Sequence, residues 1–480
     1  MTAPSSITLS LISHTNIGKT TLARTLLRRD IGQVLDQAHV TLQNEHFVLL
    51  ETSDGSRLNL WDTPGFGNSH KLLGRLQGLT NPIGWMVSQV WDRIADKPFW
   101  CSQQAIRNVR DEADVVLYLV NAAEDPSMAG YLQPELDLLT WLDKPVIVLV
   151  NQTGLIDPQE QRQLESLWRQ HWVNHRVIKD VMSLDAFTRC WVQEGVLWDH
   201  VTQALPSEKH HTMKKLEKAW YATHRQIFDA SMTRLAQLLA ETALDGERLS
   251  QEPTGLSKKP QIKNAIHALD QRLAQRISAV TADLIELHGL TGNVPHTLKS
   301  RIEDVIVPGE RKPWEEETFW GALASGAAAG LASDLATGGL SHGAFTIGGA
   351  ILGALAERTY AKSQETEDSN RISWVPAFLD RQTRDALLRY LAVTHCGRGR
   401  GDYTDPREFP LFWQRATEKA LEQRKDDLHQ LWKLTQSPQP LTGITDHLQT
   451  NLAPLLSEMS QEILGQFYPE AKGWLKQQAR

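Results

Sequence analysis

From residue 7 to about residue 205, short apolar runs alternate with polar or helix-periodic stretches. That is the rhythm of strands and helices built around a mostly parallel sheet. Six runs are strand-sized: ITLSLI (7–12), FVLLE (47–51), RLNLWD (57–62), DVVLYLV (114–120), PVIVLV (145–150) and VIKDVM (177–182). DVVLYLV and PVIVLV are apolar almost without a break, as central strands covered on both faces should be.

Beyond Pro206 the periodicity changes to that of long helices. In 213–244, Leu216, Trp220, Ile227, Leu235 and Leu239 keep to one helical face. Ile262, Ile266, Leu269, Leu273, Ile277, Val280, Leu284 and Leu287 then step by threes and fours. Pro260 stands where a first turn accepts it, and Gly289 where a helix ends. Residues 365–480 are again helical in pattern, interrupted at 396–410 and 435–443. Between these blocks, 320–357 is built from Gly, Ala and Ser, and Asp334 is its one acid before Glu357. The pattern divides the chain into an α/β domain at 1–206, a helical domain or stalk at 207–318, a Gly/Ala-rich apolar hairpin at 319–358 and a C-terminal helical domain at 359–480. The expected architecture is thus an α/β domain, with a mostly parallel sheet and helices on both faces, followed by an all-α half.

Composition narrows this picture only modestly. An apolar share of 41% and a charged share of 22% over 480 residues suit an ordinary globular chain. The formal charge of −7 argues against a surface that coats nucleic acid, so no nucleic-acid partner is expected. Cys101, Cys190 and Cys396 are odd in number and scattered. They suggest no disulfide framework and a reducing, cytoplasmic setting. The start, MTAPSSITLSLIS, lacks the pattern of a secretory signal.

The chemistry is concentrated in SHTNIGKT (13–20), which follows a predicted strand and precedes the helix-like TLARTLLRR. It nearly matches G-x-x-x-x-G-K-[ST], with Ser13 in place of the first glycine. In such a loop, successive N–H groups and the helix N-terminus face phosphate oxygens. Ser13, His14, Thr15, Asn16, Ile17, Gly18, Lys19, Thr20 and Thr21 are therefore candidate nucleotide contacts. Lys19 is expected along the β- and γ-phosphates and the Thr20 hydroxyl on Mg²⁺. Gly18 permits close backbone approach, and Ser13 only begins the turn, where a small residue is tolerated if its backbone angles suit. About 40 residues on, Leu60-Trp61-Asp62-Thr63-Pro64-Gly65 ends another strand. Asp62 is a candidate for holding a magnesium-bound water, and the Gly65 N–H for sensing a γ-phosphate.

With N-x-G-K-T at Asn16 to Thr20, D-T-P-G at 62–65 and a strand ending in Asn151, the chain resembles the P-loop GTPases, and within them the Era and TrmE branch. The resemblance implies a P-loop NTPase fold for 1–206, binding of GTP and GDP, and Mg²⁺. It implies a potassium ion bound with the help of Asn16, completing the charge clamp of the transition state. It also implies a switch threonine that joins Lys19, Thr20 and Asn16 in catalysis and reaches Mg²⁺; Thr41 matches by position, although an ordinary strand or surface threonine fits equally well.

Two departures matter. Phe66 follows D-T-P-G where many small GTPases place the glutamine that orients the attacking water, so slow intrinsic hydrolysis is expected. The family reads guanine with N-K-x-D, whose aspartate accepts two hydrogen bonds from N1 and N2. Here the stretch is Asn151-Gln152-Thr153-Gly154, without the carboxylate. Asp157 comes three residues too late unless the loop is remodelled. Asn151 and Gln152 remain base-site candidates beside a post-strand turn as the plainer reading. SLDA (183–186), beginning at Ser183, is a weaker candidate for the last base-contacting loop.

The insertion at about 67–112 is rich in tryptophan and carries Arg93, Arg107 and Arg110. It is either a lid or partner surface supplying an arginine, or a packed helical elaboration with its arginines in surface pairs. Phe66, this insertion, N-Q-T-G and the helical second half together resemble a little-characterised bacterial GTPase family whose C-terminal half is a domain of unknown function.

For 320–357 three readings stand: a buried helical hairpin, a shallow membrane element and a segment exposed on nucleotide binding. Its 14 residues before Asp334 are too few to span a bilayer. The expected function is a slow GTPase acting as a switch, whose helical half contacts a protein partner or, through 320–357, a membrane surface. The alternatives are a membrane-associated remodelling or scaffold protein with incidental turnover, and a non-hydrolysing nucleotide-binding module.

Overall fold

The computed structural model describes residues 5–28, 45–66, 69, 73–74, 97–249, 255–290, 371–397, 409–435 and 443–476. Thr41, Arg93, most of the 67–96 insertion, 320–357 and the Gly-Arg run after Gly397 lie outside the described residues.

Six strands form one sheet: β1 (Ser6–Ser13), β2 (Glu45–Glu51), β3 (Arg57–Asp62), β4 (Val115–Asn121), β5 (Val146–Asn151) and β6 (Ile178–Ser183). Their order is β2-β3-β1-β4-β5-β6. The β2–β3 pair is antiparallel and every other pair is parallel. The strand positions match the apolar runs to within two residues. β4 and β5 are buried along almost their whole length, as the unbroken runs implied, because helices cover both faces.

Side chains alternate between those faces. Val116, Tyr118 and Val120 of β4 and Val146, Val148 and Val150 of β5 share one core with Phe66, Ile106, Leu136, Leu139 and Trp168. The helices on that side are α2 (Lys97–Asp111), α3 (Leu132–Leu142) and α4 (Pro158–His171). On the rest of the sheet, α1 (Lys19–Leu27) packs on β1 and β3, and α5 (Trp191–Ala204) on β5 and β6.

After Leu205 the chain enters α6 (Ser207–Leu244) directly behind Pro206. α7 (Gly255–Leu287) begins before the expected start, so Pro260 falls inside the helix and not in its first turn. Its end is as expected. Gly289 is left-handed at φ 64, Gly289 N–H donates to Glu286 O at 2.9 Å and Leu290 N–H to Ile285 O at 2.9 Å. These bonds satisfy carbonyls that the helix leaves open. Among the described residues the helices α8 (Pro376–Thr394), α9 (Leu411–Gln423), α10 (Lys425–Leu434), α11 (Ile444–Phe467) and the short α12 (Lys472–Lys476) follow. A three-residue antiparallel ladder, β7 (Gly246–Arg248) on β8 (Arg371–Ser373), joins them. No described helix is long and apolar enough to cross a membrane.

The chain forms two compact units. The first comprises Met1–Ile227, Thr394–Asp402 and Leu464–Arg480, and the second Phe228–Val393 and Tyr403–Ile463. In the second, Asp245 accepts hydrogen bonds from both Arg272 and Arg276, and the edge of the Phe228 ring meets Tyr390. In the first, the C-terminal residues return to α5. A Cβ on Gly195 would lie 2.8 Å from the Trp474 ring, which also meets Tyr221 edge-on at 5.4 Å.

That close approach generates a stability test. Gly195→Ala overpacks the Trp474 contact and is expected to destabilise the protein by about 1–3 kcal/mol. Combined with Trp474→Leu, it should cost clearly less than the two single changes added together. Thermal or denaturant melts check this, and strict additivity would mean the C-terminal turn does not seat on Gly195.

Candidate functional site

The loop that carries the chemistry runs from the end of β1 to the start of α1. Ser13 is still strand backbone, paired in register with Leu119 of β4, and its φ is not positive. Glycine is therefore not required there. The Ser13 hydroxyl instead accepts a hydrogen bond from Lys19 Nζ at 3.0 Å. The left-handed positions are Asn16 (φ 65) and Gly18 (φ 94). Asparagine tolerates such angles better than most residues. Gly18 has a further reason, since a Cβ there would lie 2.9 Å from Asn151 Nδ2.

The D-T-P-G segment closes over this loop. Phe66 N–H donates to Ser13 O at 2.9 Å, and Thr63 Oγ1 donates to Leu11 O at 2.6 Å. Gly65 passes so near the loop that a Cβ would be 3.0 Å from Lys19 Nζ and 3.1 Å from Thr15 Cα. Thr20 Oγ1 donates to Asp62 Oδ2 at 2.6 Å. Asp62 is fully buried, and among the described residues its Oδ1 has no hydrogen-bond partner. Burial pushes its carboxyl up to about 6, against the opposing pull of Thr20 and Lys19. Thr21 and Ile17 are buried, Thr15 is half-buried and Asn16 is exposed on the rim.

Asn151, at the end of β5, joins this loop to the next two. Its Nδ2 donates to Ile17 O at 2.7 Å, and its Oδ1 accepts from Ala186 N–H at 2.9 Å. Gln152 and Gly154 follow in left-handed backbone, φ 61 and 66. Asp157 does not reach back toward this loop: it caps α4, accepting from Gln159 N–H at 2.7 Å with Glu160 completing a capping box. Ser183 ends β6, where its N–H donates to Glu165 and its carbonyl accepts from Gln193. The structure thus brings together Ser13 to Thr21, Asp62, Gly65, Asn151 and Gln152, with Ser183 at the neighbouring strand end. Thr41 lies outside the described residues. Arg110 pairs with its neighbour Asp111 at 2.6 Å, as a surface arginine would.

Two acids in the site were not named individually from the sequence, although the second lies within SLDA (183–186), the weaker candidate for the last base-contacting loop. Glu135 of α3 is buried behind the loop; its Oε1 lies 2.7 Å from His14 Nδ1, and its Oε2 accepts from Tyr118 OH at 2.7 Å. Burial raises its pKa, opposed by both partners. His14 also stacks on Tyr131, with ring centroids 4.2 Å apart. An acid inside the apolar run LQPELDLLTWL is the one signal that marked Glu135. The second is Asp185, in the loop after β6, which accepts from Gly154 N–H and Phe187 N–H, both at 2.7 Å.

Comparison with known proteins fits this geometry. Residues 8–152 match the family described as 50S ribosome-binding GTPase, and residues 173–453 match a domain of unknown function, DUF3482. No curated protein matches the chain. Among solved structures, Era in complex with MgGDPNP and part of 16S ribosomal RNA is similar at 18% identity, over 42% of this chain and 58% of that one, with a TM-score of 0.32. An Aquifex aeolicus Era variant bound to GDP·AlF4⁻ is 15% identical over 58% of this chain and 90% of that one, TM-score 0.32. Elongation factor SelB from Methanococcus maripaludis with GPPNHP is 16% identical over 43% and 36%, TM-score 0.27. This chain spans less than two thirds of the Era–RNA and SelB chains. None of these structural likenesses bears on activity. The second family model covers more than half of the 480 residues; the chain belongs to the DUF3482 family and carries an N-terminal P-loop GTPase domain of α/β fold ahead of its helical region.

Proposed function

We propose that this chain hydrolyses GTP slowly and acts as a nucleotide-dependent switch of the Era and TrmE type, whose helical half engages a protein partner. The observation that carries the reading is the cradle in which Lys19, Thr20, Asp62 and Gly65 converge on one loop. Lys19 is buried and held by Ser13, so its ammonium is positioned before any phosphate arrives. Gly65 lies against Lys19 Nζ, which suits its N–H to sense a γ-phosphate held there.

The donor set fits magnesium: a hydroxyl and a carboxylate 2.6 Å apart, with one buried carboxylate oxygen lacking any partner. Thr20 and Asp62 would hold the ion, which neutralises charge on the phosphates when bound. The loop N–H groups cradle the phosphates, Lys19 lies along the β- and γ-phosphates, and water attacks the γ-phosphorus in line as GDP departs. Phe66 is fully buried in the core under the sheet, so it orients no water. That supports slow intrinsic turnover, with potassium at the exposed Asn16 compensating.

Two measurements test this. In titrations with labelled nucleotides GTP should bind well above ATP, and Lys19→Ala should weaken GTP by about 100-fold or more. Hydrolysis should run faster in potassium than in sodium, and Asn16→Ala should remove that gain, about tenfold or more. Equal affinity for ATP would sink the guanine assignment, and turnover indifferent to both potassium and Asn16→Ala would remove the cation.

A further test uses Asp62. Its folded value of about 6 exceeds the ordinary 3.8, so between about pH 4 and 6 the folded chain holds the proton more tightly than the unfolded chain. The metal-free fold should therefore lose stability as pH rises through that window, by at most about 3 kcal/mol. Magnesium needs the carboxylate, so its binding should weaken below about pH 6. Asp62→Asn should raise the Tm of the metal-free protein near neutral pH, flatten the pH dependence and abolish magnesium-dependent GTP binding. An unchanged Tm would show that the carboxylate is not held against its burial.

A further inference from the structure

Residue 154, three places after Asn151, is a glycine in left-handed backbone, and a Cβ built on it would meet no atom of the described residues within 4 Å. Beside that open space lies the carboxylate of Asp185, 2.7 Å from Gly154 N and 3.5 Å from Thr153 Oγ1. Asn151 locks the two loops to each other and to the phosphate loop through Ala186 and Ile17. All three loops follow the C-terminal ends of parallel strands, where ligands of open α/β sheets bind.

Asp185 is only 3% exposed. Two other buried acids of this unit meet a basic group, Glu194 with Arg189 and Glu135 with His14, whereas Asp62 faces the Thr20 hydroxyl. Among the described residues no Lys, Arg or His pairs with Asp185. Its two oxygens accept two backbone N–H groups and one distant hydroxyl, which leaves acceptor capacity for further donors. A desolvated carboxylate without a cation calls for such donors. Guanine offers them as a pair, N1–H and the exocyclic N2–H₂ on one edge. Adenine presents an acceptor at N1 and is repelled. Residue 185 thus presents a carboxylate from the β6 side of the site at the backbone of residue 154, next to the space that the glycine leaves open.

We infer that Asp185 is the specificity-determining residue of this nucleotide site, reading the N1 and N2 donors of guanine from the loop after β6. This rests on the GTP-binding reading above. The test is a set of competition titrations on the full chain with GDP, IDP, XDP and ADP, for the unaltered protein and for Asp185→Asn. IDP lacks the N2 donor, and XDP carries an oxygen in its place. The unaltered protein should bind GDP at least about tenfold tighter than IDP and far tighter than ADP. Asp185→Asn should weaken GDP by about 30-fold or more and tighten XDP, because an amide donates to the xanthine oxygen that a carboxylate repels. A gain in XDP affinity cannot come from a damaged fold. Parallel loss of GDP and XDP would make Asp185 a backbone clamp only and overturn the inference, as would unchanged GDP binding in a protein that does prefer GDP. If the unaltered protein prefers neither GDP over ADP nor GDP over IDP, the guanine reading itself fails, a result distinct from either.

Discussion

Asn151 is completely buried, and both ends of its amide are bonded to main chain that cannot otherwise be satisfied at those points. One end holds the carbonyl of Ile17 in the phosphate loop and the other holds the N–H of Ala186 after β6. A buried amide in that position fixes three loops by two bonds, and removing it would leave a carbonyl and an N–H unpaired in the interior. Gly18 depends on the same side chain, because the Nδ2 atom occupies the space a Cβ would need. The unbroken apolar burial of β5 delivers Asn151 to this point: the strand is held on both sides by β4 and β6, so its last residue has no freedom to wander.

Against that rigid frame, Asp62 is the strained component. Its carboxylate lies in the interior with one oxygen unpartnered, and the fold holds it at the cost of raising its pKa to about 6. Thr20 and Lys19 offset part of that cost without removing it. A buried carboxylate held in this way is a local cost to the fold, offset only in part by its neighbours. Ser13 contributes in the same sense. By accepting from Lys19 Nζ it keeps a second buried charge in place before a ligand is present.

Much of this was legible along the chain because it is local. Strand-sized apolar runs, a loop between strand and helix, and D-T-P-G after a strand are patterns over a few residues, and their positions in the fold follow within a residue or two. Ser13 departs from the motif's letters where a small residue was expected to be tolerated, and its strand backbone shows why no glycine is needed. What sequence reasoning missed is nonlocal. Glu135 meets His14 across 121 positions, and nothing in LQPELDLLTWL says which polar partner it will find. The β7–β8 ladder pairs residues 246–248 with 371–373, three-residue segments with no periodicity to detect. Pro260 misled because a proline inside a helix has the same local appearance as one in its first turn.

Asp185 carries the largest consequence: its loop, SLDA, was a candidate on sequence, but its contact with Gly154 is nonlocal and was not legible. Read as a string, N-Q-T-G lacks an acid, and the nearest one downstream, Asp157, is committed to capping α4. A base, however, meets atoms and not a string. The loops after β5 and β6 are adjacent because their strands pair in parallel, and a carboxylate from either loop can stand at the same edge of a ligand. Gly154 and Asp185 are in hydrogen-bond contact across 31 positions, so the acid that N-Q-T-G lacks has a counterpart on the neighbouring loop. Recognition that seems absent from a motif is then a question about which neighbouring loop supplies the missing group.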